Sequence, residues 1–287
     1  MQIRNWLNWL EISGRSSATV SAYKWQAGQF ISSCDKPLSS ITTSDLLEYL
    51  AGRRRAGWGD SSVKLAANAL RSLFAFMLGE ASPARSIPLP RPRARPQRTL
   101  TAEQAMTVIA SCDTSTPRGV RDLALLCLML DTGLRAAEIC RLSAGLVDVT
   151  DRWLQVRVKG GEVAAKVFTT YTAAQLGQWM SVREGIVRPG VTTLFVGVGG
   201  TRAGTPLTTH GLRCIFRAVA RAAGLEKLSP HDMRRTFATL TIRYGASTRM
   251  VQQQGGWTSL DELERYTQAL QLQEVERHLP VGRLMGL

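Results

Sequence analysis

The stretch from Ser82 to Arg98 constrains the fold of this 287-residue chain more than any other segment. It contains five prolines, five arginines and no acidic residue. Proline fixes its own φ and lacks an N–H donor, so closely spaced prolines keep a segment extended and exclude a helix. With 44% hydrophobic residues, the chain can bury a core on each side of this segment. We therefore predict a domain at residues 1–82, a linker at residues 83–98 and a second domain at residues 99–287.

The charge of the chain indicates an anionic partner. It carries 36 Lys and Arg against 22 Asp and Glu, a net charge of +14. Such an excess is typical of proteins that bind a phosphate backbone, although a ribosomal or membrane surface would suit it equally. The charge is densest in the linker, where arginines can follow a DNA backbone. We predict DNA contacts from Arg91, Arg93 and Arg95, with a plain solvated spacer as the alternative.

The first domain is predicted to be helical. Apolar residues recur at helical spacing from Ser61 to Leu78, and a second helix is indicated from Thr43 to Ala56 after a Thr/Ser/Asp start. Five basic side chains of this domain are candidate phosphate contacts, or alternatively a solvated face: Arg53, Arg54, Arg55, Lys64 and Arg71.

The second domain is predicted to be mainly helical with a small β-sheet, an α+β fold. The run from Thr101 to Gln104 has the form of a capping box, and the apolar run from Leu123 to Leu130 indicates a buried helix. Alternation from Trp153 to Val158, a turn at Lys159 and a return from Ala165 to Thr169 predict a hairpin.

Several polar residues of the second domain stand in contexts that favour phosphate chemistry. Arg135 follows a glycine turn at a helix start, where backbone N–H groups favour negative charge. His231 and Arg234 are three residues apart after a proline and so share one helix face. Lys159 lies at the hairpin tip, and Tyr266 follows a Gly-Gly turn and a short helix.

These motifs, in this order, resemble the active site of the tyrosine recombinases, the family of phage integrases and Xer-type recombinases. The resemblance covers essentially the whole chain. For the fold it implies a SAM-like helical core-binding domain before a catalytic domain, the two forming a C-shaped clamp. For the chemistry it implies an active site made of Arg135, Lys159, His231, Arg234, Trp257 and Tyr266, with Glu138 supporting Arg135.

The resemblance also implies a role for each residue, and the chemistry of phosphodiesters agrees with these roles. Arg135 and Arg234 would bind the phosphate, because a guanidinium matches two phosphate oxygens. Tyr266 would attack phosphorus and form a 3′-phosphotyrosyl bond. Lys159 would protonate the leaving 5′-oxygen, with Lys166 as the alternative acid, and His231 would help manage the tyrosine proton.

One position departs from the commonest family pattern. Many members have a histidine after the glycine, whereas this chain has Trp257. An indole N–H can donate a hydrogen bond but cannot transfer a proton. We expect Trp257 to take part in the site, and a purely structural indole that seals a core is the alternative.

The same resemblance implies the partners and the biological role. We expect double-stranded DNA with short inverted-repeat core sites, four protomers on two such sites, and a free protein that is monomeric or weakly associated. An accessory protein is a further candidate partner, and the tail 267–287 is expected to dock on a neighbouring protomer. Integration of a phage or other mobile element is the first interpretation, and Xer-type resolution of chromosome or plasmid dimers is the second. A topoisomerase-like strand nicker and a catalytically inactive DNA-binding module are the distant alternatives.

No cofactor, metal ion or ATP is expected. The five cysteines form no C-x-x-C pair and the three histidines are dispersed along the chain. The sequence shows neither a signal peptide nor an apolar run long enough to span a bilayer. We therefore expect no membrane association and a cytoplasmic, nucleoid-associated protein.

Overall fold

The computed structural model describes residues 2–90, 98–157, 163–257, 259 and 263. The chain divides into two compact units, Met1–Pro96 and Gln97–Leu287. Five residues singled out above and the tail 267–287 lie outside the described residues: Arg91, Arg93, Arg95, Lys159 and Tyr266.

Four α-helices build the first unit within residues 2–90: α1 (Gln2–Ile12), α2 (Ser17–Ile31), α3 (Thr43–Arg55) and α4 (Asp60–Leu78). The side chain of Thr42 accepts from the backbone of Asp45 while the Asp45 carboxylate accepts from that of Thr42, and this capping box fixes the start of α3. Both helices predicted in this domain are confirmed, each within one residue at either end.

Helix α4 supplies the centre of the first unit. Its predicted apolar stripe is buried, including Ala66, Leu70 and Phe74. Phe30 of α2 packs edge-on against Phe74, with 6.1 Å between ring centroids. Trp6 of α1 is fully buried and donates its indole N–H to Ser72, which attaches α1 to the same helix.

Part of the proline-rich segment packs on this unit. Ala84 and Ile87 are fully buried in the core that contains Phe30 and Leu70. The hydroxyl of Thr43 donates to the carbonyl of Pro83, at 2.8 Å. Residues 83–90 therefore belong with the first unit, beyond the boundary predicted at residue 82.

The second unit contains a three-stranded antiparallel sheet and seven helices within the described ranges. The strands, in sheet order, are β1 (Val147–Asp148), β2 (Trp153–Arg157) and β3 (Val163–Val167). The helices are α5 (Ala102–Ala110), α6 (Pro117–Thr132), α7 (Ala136–Arg141), α8 (Thr170–Glu184), α9 (Thr209–Ala222), α10 (Pro230–Arg243) and α11 (Thr248–Gly255). The predicted hairpin is confirmed, with Trp153 paired to Val167 and Arg157 paired to Val163.

Helix α6 is the central element of this unit. All residues from Arg121 to Met129 are buried, which confirms the buried helix predicted from the apolar run. It packs against α8 on one side and α10 on another. Among the residues described here, no helix combines the length and the apolar character that a membrane crossing requires.

We predict that Ile87→Ala destabilises the first unit, because Ile87 is fully buried there. Truncating a buried isoleucine to alanine lowers the free energy of unfolding by about 2–5 kcal/mol. Urea denaturation, with hydrogen-exchange protection of α3 and α4 as the readout, measures the change. Ser86→Ala, at an exposed neighbour, is the matched control. If both variants unfolded at the wild-type urea concentration, residues 83–90 would not be part of this unit.

Candidate active site

The position of Arg135 follows from the way α6 ends. Gly133 closes α6 in the left-handed conformation, with φ at +60°, and a Cβ there would lie 2.4 Å from the ring of Phe237. The chain then turns sharply, and Arg135 becomes the N-cap residue of α7. Its side chain is about one-third exposed. Arg135 thus stands at the protein surface beside a buried glycine turn.

Glu138 holds Arg135 through two hydrogen bonds. One carboxylate oxygen accepts from the Arg135 backbone N–H at 2.8 Å, and the other accepts from its guanidinium at 3.0 Å. Glu138 is 8% exposed, so the carboxylate is desolvated and oriented. The structure thus brings Glu138 into contact with Arg135, and a supporting role in catalysis stays a prediction.

Helix α10 carries His231 and Arg234. Ser229 and Asp232 form a capping box around Pro230, which places His231 in the first turn. His231 is partly exposed to solvent. Partial burial lowers its pKa, and the charges of Arg235 and Arg234 lower it further. His231 is therefore mainly neutral at neutral pH and able to accept a proton.

Arg234 lies deeper than Arg135. It is 4% exposed, and its guanidinium donates to the carbonyl of Gly133 and to that of Gly255, the latter at 2.7 Å. These carbonyls belong to the end of α6 and the end of α11. Arg234 therefore joins three helices at one point.

Trp257 covers the guanidinium of Arg234. Helix α11 ends at Gly256 in the left-handed conformation, and the following indole lies over Arg234 with 3.9 Å from Cζ to the ring centroid. Phe237 stacks against the indole, at 6.2 Å between centroids and 3° between planes. A Cβ at Gly255 would lie 1.7 Å from the Trp257 ring, so this packing requires glycine. Trp257 thus contacts the cationic side chain of Arg234 and also packs in a hydrophobic core with Phe237.

Lys166, the alternative acid, is buried on β3. Its side chain is 1% exposed and its ammonium donates to the carbonyl of Gln254. Burial lowers its pKa to about 8, Glu138 opposes this shift, and Arg234 and Arg135 add to it. Lys159 lies outside the described residues, so its assignment as the general acid stays a prediction.

The last three carbonyls of the α11 turn each accept a hydrogen bond from a different cation. Lys166 of β3 donates to Gln254, Arg234 of α10 donates to Gly255, and Arg135 donates to Gly256 at 3.1 Å. The end of a helix carries partial negative charge, so cations stabilise it there. Residues that are far apart in sequence therefore meet around one helix terminus.

Gln254 is a further residue of this cluster that sequence reasoning missed. Its amide donates to the carbonyls of Val167 and Asp131, at 2.6 and 3.0 Å, and accepts from the N–H of Val167. Gln254 therefore connects α11 to the end of β3 and the end of α6. No pattern in the sequence signals this role, because a glutamine near a helix end is usually solvated.

Most of the candidate DNA contacts of the first unit have partners within it. The Arg53 guanidinium lies 5.0 Å from the ring centroids of both Tyr49 and Trp58. Arg54 forms an ion pair with Asp60 at 2.5 Å. Arg71 donates to the backbone carbonyls of Arg85 and Ile87, so it holds the proline-rich segment in place. Arg55 is exposed and Lys64 is half-buried. A DNA contact from these five residues stays a prediction.

Both units match known protein families. Residues 98–272 match the Phage integrase family, and residues 3–83 match the family described as Phage integrase, N-terminal SAM-like domain. Tyrosine recombinase XerD of Listeria monocytogenes serovar 1/2a is 28% identical over 285 residues, covering 94% of each chain. The SAM-like match falls within the first unit and the integrase match within the second, which confirms the predicted fold class.

Two solved structures share the fold. XerH site-specific recombinase, bound to palindromic difH substrate in a post-cleavage complex, has a TM-score of 0.71 at 22% identity, over 90% of this chain and 78% of that one. The Tn1549 transposon integrase, in complex with transposon right end DNA, has a TM-score of 0.73 at 15% identity, over 96% of this chain and 98% of that one.

We predict that Lys166 makes the free energy of unfolding rise with pH between about 8 and 10.5, the pKa of the folded protein and the ordinary lysine value. In that window the unfolded chain binds the proton that the folded chain has lost, so a higher pH favours folding. Lys166→Met removes this contribution. Urea unfolding across the window should therefore give a flatter profile for Lys166→Met than for the wild type.

Lys64→Met, which replaces a half-buried lysine of the first unit by the same residue, is the control for the substitution itself. Parallel profiles for Lys166→Met and the wild type would contradict a desolvated ammonium at position 166.

Proposed function

This chain belongs to the phage integrase family, the tyrosine recombinases that cleave and rejoin DNA strands at specific sites, and we propose that Tyr266 is its nucleophile. The observation that carries the proposal is the convergence of Arg135, Arg234 and Trp257 on the end of α11, eleven residues before Tyr266. A phosphodiester bound at this cluster would contact positively charged side chains. The tyrosine follows the cluster closely in the sequence.

Arg135 and Arg234 provide two kinds of stabilisation. Arg135 is partly exposed and already oriented by Glu138, so it can hydrogen-bond a non-bridging phosphate oxygen. Arg234 is buried beneath Trp257 and acts from a desolvated position, where a charge is screened less than in water. Charge that accumulates on the phosphate oxygens in the transition state is thereby stabilised by groups that need not move.

The proposed reaction exchanges one phosphoester for another. The phenolic oxygen of Tyr266 bonds to phosphorus, the bond from phosphorus to the 5′-oxygen breaks, and a 3′-phosphotyrosyl ester remains. The tyrosine proton passes towards His231. The pKa of His231 is lowered, so its ring is mainly neutral and has a nitrogen that can accept the proton. Lys159 protonates the 5′-oxygen, and a 5′-hydroxyl of another strand later reverses the step. No bond energy is lost, so ATP is not consumed.

The role we propose is integration of a mobile element at short inverted-repeat core sites, with four protomers on two sites. The fold shared with a transposon integrase in complex with transposon end DNA supports this interpretation. A second candidate is Xer-type resolution of DNA dimers, which the similarity to XerD over 94% of both chains favours. The DNA sites themselves distinguish the two: integration uses the ends of an element, whereas resolution uses a site that element-free cells also carry.

We predict that wild-type protein forms covalent DNA adducts and that Tyr266→Phe forms none, because phenylalanine lacks the attacking oxygen. The assay expresses each protein in cells that carry candidate element DNA, traps adducts with denaturant in the presence of EDTA, and sequences the attached 3′ ends. Adducts at element ends support integration, and adducts at one site shared with element-free cells, with none at element ends, support dimer resolution. Equal backgrounds from the two proteins would contradict tyrosine-mediated cleavage.

We predict that Arg135→Lys slows strand cleavage by roughly 10²–10³-fold, the usual effect of losing one preorganised donor in such a site. A lysine keeps the charge but cannot donate to Glu138, Gly256 and a phosphate from one rigid plane. Single-turnover adduct formation on the mapped site measures the rate. Arg141→Lys, at an exposed position in the last turn of α7, is the matched control and should cleave normally. A wild-type rate for Arg135→Lys would exclude Arg135 from the phosphate site.

A further inference from the structure

Lys166 combines two properties that rarely occur together in a lysine. Its side chain is fully buried, and its ammonium is committed to one backbone carbonyl, that of Gln254. A buried charge is costly unless it is hydrogen-bonded or paired, so a lysine in this position needs a physical reason. The contacts of α11 provide one.

The charged groups around Lys166 come from two helices. Glu138 of α7 is the nearby carboxylate, Arg135 precedes the same helix, and Arg234 comes from α10. Glu138 is already hydrogen-bonded to Arg135, so the ammonium takes the Gln254 carbonyl as its partner. The amide of Gln254 grips the backbone of Val167, the residue after Lys166. Side chain and backbone of Gln254 therefore both hold α11 against β3.

We propose that Lys166 is a positioning residue that fixes the C-terminus of α11, so that the chain leading to Tyr266 starts from a defined point. The proposal deepens the proposed recombinase function and rests on it. Lys166 is not the general acid in this scheme, because a fully buried ammonium bound to Gln254 cannot reach a leaving oxygen without abandoning that carbonyl.

The end of α11 connects the contact made by Lys166 to the segment that carries Tyr266. The N–H groups of Gly256 and Trp257 both donate to the carbonyl of Gln252, at 2.8 and 3.1 Å, in the turn that Lys166 holds. Trp257 then packs in a buried cluster with Phe237 and Leu263, and Leu263 is three residues before Tyr266. Loosening the α11 terminus would therefore loosen the anchor of the nucleophile.

The test compares Lys166→Met, Lys159→Ala and Val156→Ala in the full-length protein. Methionine keeps the length of the side chain and removes the donor. Val156 is buried on β2, so Val156→Ala lowers stability and leaves the donor to α11 intact. Each variant is assayed for single-turnover cleavage of the mapped site with an ordinary phosphodiester and with a 5′-bridging phosphorothiolate. A sulfur leaving group needs no proton, because thiols ionise at far lower pH than alcohols.

We expect Lys166→Met to cleave about 10- to 100-fold more slowly than the wild type, the effect of losing one hydrogen bond to a charged group. The phosphorothiolate should restore Lys159→Ala and leave Lys166→Met slow. Hydrogen exchange on the free protein should rise in the last turn of α11 for Lys166→Met and remain at the wild-type level for Val156→Ala.

Two outcomes would overturn the proposal. Restoration of Lys166→Met by the phosphorothiolate would make Lys166 the general acid, and unchanged exchange at the end of α11 would show that Lys166 holds nothing there. The proposed function fails separately, if wild-type protein forms no adduct at all. The hydrogen-exchange comparison needs no DNA. It therefore tests in that case too whether Lys166 holds the end of α11.

Discussion

The contact between three cations and the end of α11 is the interaction on which the arrangement of the second unit depends. Lys166, Arg234 and Arg135 come from a strand, a helix and a helix start, and each donates to a successive carbonyl of one turn. Arg234 adds the carbonyl of Gly133, which brings the end of α6 to the same place. The helix terminus thus serves as a common acceptor that brings the three cationic side chains together. Like charges repel one another. Without these carbonyls the three cations would lose the hydrogen bonds that hold them together.

The same arrangement leaves the site short of negative charge. Among the described residues around the three cations, Glu138 is the carboxylate that contacts them, and it is committed to Arg135. Backbone carbonyls carry only partial charge, so they orient the cations without neutralising them. Burying Arg234 and Lys166 removes two charges from water, which carries a desolvation cost.

The sequence predicted the parts of this site whose signals are local. The glycine turn before Arg135 and the proline before His231 are short-range patterns, and the structure agrees with each. The helical period of α4 in the first unit is another such pattern. The burial of Lys166 and the hydrogen bonds that Gln254 makes with both its side chain and its backbone depend on which elements pack together. No short stretch of sequence contains that information. The contacts of the proline-rich segment depend on the same kind of information. Its composition is that of a linker, yet Arg71 and the core of α3 and α4 capture residues 83–90.

The residues at positions 255 and 257 restrict each other, because the side chain of one occupies the space of the other. The indole occupies the space that a side chain at position 255 would need, at 1.7 Å from its first carbon, and it also covers Arg234. A lineage could therefore acquire a side chain at position 255 only after position 257 had changed to a smaller ring. Such a ring would cover less of the guanidinium and admit more water to it. The identity of one aromatic residue thus determines both which substitutions are accessible at position 255 and how far water is excluded from the Arg234 guanidinium.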